Sequence, residues 1–556
     1  MPGAGGQAWP TLATGVCQIN EQDSSRDTLV PSRLRPASPA HPAGQAAGRP
    51  GPPSGAPPAA RTSAARRTRL LGWFSAVSIT LAIAVFIGIS LAGPSAAVVR
   101  TPRPAAGPPW WFSWPLPVAV VTTLLWAASV LGAAGVAAGL VAVRRGARPP
   151  IRLLPIAAFI VTAVLAVLPA AGSSDPLDYA AYGRMVVTGH NPYQMTPKQL
   201  RLADDPVGET VPHSWQGSHS DYGPLASLEQ ATAAELGGDS AGRIVLWLKL
   251  WNALAFGLVI TAIDRVLRAD PARRARAHLL WSLNPLLLWG LVASGHLDTV
   301  AAACGLLGLL LVKPWRRDGE PRLGRFLAAG ALTGAAADLK ITYALFGLGL
   351  AWTGRRSLGA LLAAVSGELA ILVPSYLWFG RRALTVLANH RDATTDNLYR
   401  LFAHSFLRPS LAEVDLVIVP VVIIVAVLLL WRLPDRLPEL PTVTPAFALS
   451  LAWMLAWPYQ RPWYDAAAAC LLVLYPASRL DWIILGQLAV GTFEFMPGMP
   501  TFPPRHSWLA AALNVQSNLV MPLVRLAALL AVVALCLTGA WYARDRGPAP
   551  GQLGRV

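Results

Sequence analysis

Two carboxylates three residues apart, Asp175 and Asp178, open the stretch Ser174-Asp-Pro-Leu-Asp-Tyr-Ala-Ala-Tyr-Gly-Arg-Met-Val-Val-Thr-Gly-His-Asn-Pro-Tyr193. They follow a long apolar run at 151–171, so the stretch emerges from a membrane. A carboxylate at the mouth of a membrane cavity can serve as a general base. The same residues also make a well-capped surface helix. Asp175 before Pro176 reads as an N-cap with proline at the first helical position. Asp178 puts negative charge in the first turn, where it complements the helix dipole. Gly189 and Asn191-Pro192 close the helix after about four turns. These residues alone leave both readings open.

Other chemistry-bearing side chains stand where apolar runs meet. Ser294-Gly-His296-Leu-Asp298 lies between 277–294 and 297–312. Asp338-Leu-Lys340 lies between 326–338 and 341–354, and Trp457-Pro-Tyr-Gln-Arg461-Pro-Trp-Tyr464-Asp465 between 441–457 and 463–479. The runs flanking Asp338–Lys340 are about 13 and 14 residues long, roughly 20 Å of helix each. Hydrocarbon is about 30 Å thick, so this tip is expected below the outer surface. Non-helical backbone persists at such depth only inside protein or around water. Ionisable groups there are functional candidates. The competing reading makes Asp338–Lys340 and Arg461–Asp465 local structural pairs. Three charged tips facing the side where Asp175 emerges suit a shared site: a carboxylate base, with cations for a leaving phosphate.

The elements that must position these groups are membrane helices. The chain has 556 residues, 54% hydrophobic and only 13% charged, against about 25% charged in soluble chains. An all-α polytopic membrane protein is expected, with about 13–14 transmembrane or partly inserted helices. Its apolar runs lie near 70–94, 116–143, 151–171, 243–263, 277–294, 297–312, 326–338, 341–354, 357–380, 414–431, 441–457, 463–479, 482–496 and 519–543. Residues 1–69, rich in Pro, Ala and Arg, cannot build a core and read as a disordered tail. The polytopic domain is 70–543, followed by a short tail at 544–556.

Arginine clusters set the sidedness. They precede the first run (Arg66, Arg67, Arg69) and recur on alternate loops: Arg144–Arg148, Arg265–Arg276, Lys313–Arg317, Arg355–Arg356, Arg432–Arg436, Arg479 and Arg544–Arg546. Both termini are therefore expected in the cytoplasm of a bacterial plasma membrane. The loop 172–242 is acidic and external. The loop 95–115, with Trp110, Trp111 and Trp114, reads as an interfacial aromatic belt. The outer loops 381–413 and 497–518 carry basic residues against that trend. An anionic ligand or local pairing, as of Arg391 with Asp392, would account for them. The net charge of +17 follows the membrane flanks, so membrane lipids rather than nucleic acid are the expected partner. Cys17, Cys304, Cys470 and Cys536 form no metal spacing and no disulfide framework; neither a metal nor a cofactor is expected.

The stretch from Ser174 to Tyr193 resembles the first outer loop of bacterial GT-C glycosyltransferases, most nearly the polyprenol-phosphomannose-dependent α-1,6-mannosyltransferases of actinobacteria. Asp221-Tyr222-Gly-Pro-Leu225 is similar to that group's Tyr-Gly-Pro element. Asn284-Pro-Leu286 followed by Ser294-Gly-His-Leu-Asp298 is similar to its Asn-Pro-Leu … Gly-His-Asn-Asp element. The likeness spans roughly 150–480. Leu297 departs from it where a polar residue is expected, and Pro176-Leu177 separate the two aspartates. The resemblance implies a GT-C-like fold and inverting transfer of mannose or a related sugar. The donor would be a polyprenyl-phosphate sugar, and the acceptor a glycan or glycolipid of the cell envelope such as lipomannan, at the extracytoplasmic face. Asp175, then Asp178, is the expected base. Arg184, Lys340 and Arg461 are expected to bind the donor phosphate, and Tyr222, His296 and Asp298 the sugar or acceptor. The rival reading is a transporter or flippase of a lipid-linked sugar, which needs the cavity and cations but no base.

Overall fold

A computed structural model describes residues 58–104, 106–314, 319–387, 411–499 and 506–542. Arg391 and Asp392, Arg316 and Arg317, residues 1–57 of the N-terminal tail and the tail 544–556 lie outside the described residues. Every regular element among the described residues is helical: α1 Pro58–Ala92, α2 Val118–Arg144, α3 Leu153–Ala166, α4 Asp175–Val187, α5 Pro197–Leu202, α6 Pro224–Gly237, α7 Ala241–Val266, α8 Pro271–Ala277, α9 Pro285–Leu287 and α10 Asp298–Leu311. Then follow α11 Leu323–Leu339, α12 Ala344–Gly354, α13 Leu358–Phe379, α14 Leu411–Arg432, α15 Val443–Ala456, α16 Ala466–Leu472, α17 Leu480–Glu494, α18 Trp508–Val515 and α19 Met521–Thr538.

Among the described residues, five helical stretches are long and apolar enough to cross a membrane: Ser63–Ala92, α2, α7, α13 and Trp508–Thr538. Pro271–Ala293 and α10 pass the same test together, bent by 113° at residues 294–297. On α13, Leu362, Leu369, Val373 and Leu377 are exposed; an aliphatic face of that size belongs in lipid. The protein is an all-α polytopic membrane protein.

Several apolar runs expected as single spans are broken or short. The run 277–294 is interrupted by Asn284-Pro285, with π-helical segments at His278–Ser282 and Leu288–Ala293. Asn284 restarts the helix, its Oδ1 accepting the Leu286 amide at 3.1 Å. The run 463–479 holds only the short α16 after a 3₁₀ turn at Pro462–Asp465. Residues 508–518, expected in an outer loop, are instead helical and continuous with α19, because Trp508–Val515 is itself apolar.

Packing fixes α4. Gly183 faces α6 so closely that a Cβ there would meet the Gln230 carbonyl, and only glycine allows that approach. The lead-in to α4 is tied as well. Ala171 pairs with Val98, and the Gly172 amide donates to the Ala97 carbonyl at 2.7 Å. The short α3 ends against a buried lysine of α7. Lys249 Nζ donates to the carbonyls of Leu165, Leu168 and Pro169 at 2.7, 2.6 and 3.2 Å, which would otherwise be orphaned at a helix end.

Candidate functional site

The helix α4 begins at Asp175 itself, and Asp175 is not its N-cap. Ser174 holds the position before the helix, with no side-chain cap bond. The carboxylate turns elsewhere. Ser173 Oγ donates to Asp175 Oδ1 at 2.9 Å and accepts the Asp175 amide at 3.2 Å. Oδ2 lies 3.7 Å from His296 Nδ1. Burial pushes the Asp175 carboxyl upward, while the Ser173 hydroxyl, Arg461 and Lys340 draw it back.

His296 is completely buried, and its ring stacks on Trp463 with centroids 3.7 Å apart and planes 15° from parallel. Its Nδ1 is 3.4 Å from the Tyr179 hydroxyl, itself 3.1 Å from the Tyr222 hydroxyl. Its Nε2 has no hydrogen-bond partner among the described residues. Two features hold this tip. Gly295 adopts φ +70°, a turn that a side chain would strain. Asn252, one turn along α7 from Lys249, donates to the His296 carbonyl and to Thr299 Oγ1.

Asp298, also fully buried, accepts both its bonds from Lys340 Nζ, at 2.9 and 2.7 Å. Tyr343 donates to the Asp298 carbonyl at 2.9 Å. Lys340 Nζ stands 3.7 Å over the Tyr464 ring. Arg461 lies over the rings of Tyr459 and Phe495, at 5.5 and 5.2 Å. The tips carrying His296–Asp298, Lys340 and Arg461–Tyr464 thus meet at the start of α4.

The local pairs do not form as the sequence suggests. Lys340 takes Asp298 rather than Asp338, which accepts from Ser375 Oγ at 2.6 Å. Asp465 accepts from Gln487 Nε2 at 3.4 Å. Three further side chains stand apart from the cluster. Arg184 is bound by Asp205 at 2.7 Å and Asp239 at 2.5 Å. Asp178 is buried one turn along α4, with Oδ1 lacking a partner among the described residues. Burial and then the neighbouring Asp175 push its pKa well above the ordinary range. Trp215 packs into a small outer-loop core with Ala181, Tyr182 and Met185.

Sequence reasoning passed over Ser173, Tyr179, Trp463, Lys249 and Asn252 as parts of the site. A usable signal existed for the last two: polar residues three apart within an otherwise apolar span share one helix face. Among the described residues, no three His, Cys, Asp or Glu side chains form a group able to hold a metal ion.

Fold and site define a class: an all-helical membrane protein whose interrupted helices bring carboxylates, cations and aromatic rings together at one end. The family model for the N-terminal domain of alpha-(1->6)-mannopyranosyltransferases matches residues 77–356, and the chain belongs to that family. The match contains Asp175, Tyr179, Tyr222, His296, Asp298 and Lys340, and ends before the 457–465 tip. Residues of this chain are 29% identical over 150 positions to a protein of Mycolicibacterium smegmatis described as a probable alpha-(1->6)-mannopyranosyltransferase (27% of this chain, 26% of that one). Identity to alpha-(1->6)-mannopyranosyltransferase A of Corynebacterium glutamicum is 24% over 218 residues (38% and 42%). For the B protein of the same organism it is 29% over 140 residues (25% and 22%). The aligned stretches therefore span between 22% and 42% of these relatives.

Proposed function

We propose that the protein is an inverting glycosyltransferase that moves a mannosyl residue from a polyprenyl-phosphate donor to a glycan or glycolipid hydroxyl at the extracytoplasmic face. The observation that carries this reading is the meeting of Asp175 with His296, Tyr179, Tyr222, Lys340 and Arg461 at the mouth of the helices. Asp175 takes the proton of the acceptor hydroxyl. The freed oxygen lone pair forms the new bond to the anomeric carbon from the face opposite the donor. The bond from that carbon to the phosphate oxygen breaks, and its electron pair leaves with the phosphate. Arg461 and Lys340 stabilise that developing charge. Lys340 is held in place for this by Asp298.

His296 has a buried nitrogen available to a sugar hydroxyl, and Trp463 fixes its ring plane. Tyr222 and Tyr179 supply hydroxyls on the same side. Arg184 is a loop-fixing residue in this scheme, held by two carboxylates. The arginine alternation along the sequence supports cytoplasmic termini and an outward-facing site.

Purified protein in detergent, where no sides exist, should convert polyprenyl-phosphate mannose and an α-mannoside acceptor into a longer α-mannoside. Donor consumption without product, or lipid movement across vesicles without any new glycosidic bond, would replace this reading with a transporter.

A further inference from the structure

The segment 93–117 between α1 and α2 contains Arg100 and Arg103 and no Asp or Glu. It folds over the end of α1. The amides of Phe112 and Trp114 donate to the carbonyls of Leu91 and Ala92 at 2.7 and 2.8 Å, using helix-terminal acceptors that need a partner. Trp111 turns back and is buried against Gly93. Arg103 stands 4.9 Å over the Trp111 ring and donates to the Trp111 carbonyl and to Ser113 Oγ. This arrangement leaves a cleft of about 420 Å³, lined by Arg100, Thr101, Arg103, Trp111, Ser113 and Trp114 with two prolines.

Three features of the cleft point to a ligand. Its two guanidinium-bearing side chains face no lining carboxylate. Arg100 is exposed, with no hydrogen bond or ion pair among the described residues. The neighbouring Trp110, Phe112 and Trp114 are all more than half exposed, at 54, 61 and 62%. Aromatic rings beside cations, at the boundary where two apolar spans end, match the chemistry of the lipid headgroup layer. On the two helices that the segment joins, Leu81 of α1 and Val120 and Leu124 of α2 are exposed and offer apolar surface to acyl chains.

We propose that this cleft binds an anionic glycerophospholipid, its phosphodiester held between Arg100 and Arg103 and its chains along α1 and α2. The site is separate from the Asp175 cluster yet joined to it by backbone. Val99 donates to the Ala170 carbonyl at 3.0 Å, and Val98 bridges Ala171. These are the residues that lead into Ser173 and Asp175. A bound lipid would steady that lead-in.

Native mass spectrometry of the full-length protein, released from detergent with defined lipids, tests the site. One phosphatidylglycerol should be retained in preference to phosphatidylcholine. Arg100→Gln should lower that retention about tenfold, the value of one charge-assisted contact, while Arg100→Lys keeps most of it. Trp114→Ala should weaken retention without removing charge. Because Arg100 has no partner to lose among the described residues, its variants should keep the parent's elution profile and thermal midpoint. The proposal is overturned by equal retention of the two phospholipids or by undiminished retention in folded Arg100→Gln. It is equally overturned if polyprenyl phosphate is retained in place of phosphatidylglycerol, or if inorganic phosphate displaces the lipid.

Discussion

At the arginine-rich end of the helices, Asp481 is fully buried and accepts from Arg276 at 2.5 and 2.9 Å and from Arg144 at 2.9 Å. The same guanidiniums also donate to the carbonyls of Tyr475 and Ser478, both at 2.7 Å. Arg432 does likewise with the carbonyls of Cys536 and Leu537. At the opposite end, Asp175 has one serine bond and a loose approach to His296, while Asp178 Oδ1 and His296 Nε2 find no partner among the described residues. Both ends bury charge, but at one the Asp481 carboxylate is matched on both oxygens and ties α2, α8 and α17 together. The other leaves His296 Nε2 in the Asp175 cluster, and Asp178 Oδ1 one turn along α4, without a partner among the described residues. A buried polar atom without a partner costs about 1–3 kcal/mol, and at His296 Nε2 a ligand's hydrogen bond would remove that cost.

Substitutions at the two ends should therefore separate stability from turnover. Asp481→Ala strands the buried Arg276 guanidinium and should cost about 3–5 kcal/mol, read as a lower thermal midpoint in detergent. Transfer per folded molecule should be unchanged. Lys340→Met strands Asp298 and should destabilise comparably. The double variant Lys340→Met, Asp298→Leu should recover much of that stability and none of the transfer. Full activity in the double variant would make the pair a strut like Asp481–Arg276.

A smaller effect concerns pH. Burial raises the Asp178 pKa in the folded state, so the folded protein holds a proton that the unfolded chain releases. Stability should then fall as pH rises from the ordinary carboxylate range toward the raised value, by at most about 1.4 kcal/mol per pH unit. Asp178→Asn should flatten that slope in unfolding measurements. Smaller still, Arg184→Ala removes a loop pair worth about 1 kcal/mol or less. It should leave the donor KM unchanged, whereas a donor-binding role would raise it.

Much of this was visible in the residue order. Short runs around Asp338–Lys340 and Arg461–Asp465, with the His296–Asp298 tip on the same side, marked the tips that meet. Their pairing was not visible. Asp338 and Lys340 are sequence neighbours, but α11 ends between them and Lys340 is extended at φ −153°, ψ 121°, which turns its side chain to Asp298. Apolar composition also could not tell a straight span from one broken at Asn284-Pro285, since both bury the same residues. The spacing of Lys249 and Asn252 was readable, but the partners of Lys249 were not. Its partners are carbonyls that exist only because α3 stops at Ala166, and no side-chain pattern announces them.

The claim that Asp175 abstracts the acceptor proton is tested most directly by Asp175→Asn, assayed in single turnover with polyprenyl-phosphate mannose beside a thermal unfolding curve. The account predicts transfer reduced by about 10²–10⁴-fold, with an unchanged melting midpoint and undiminished donor binding. Wild-type turnover in that variant, or loss of transfer only in step with unfolding, would contradict it.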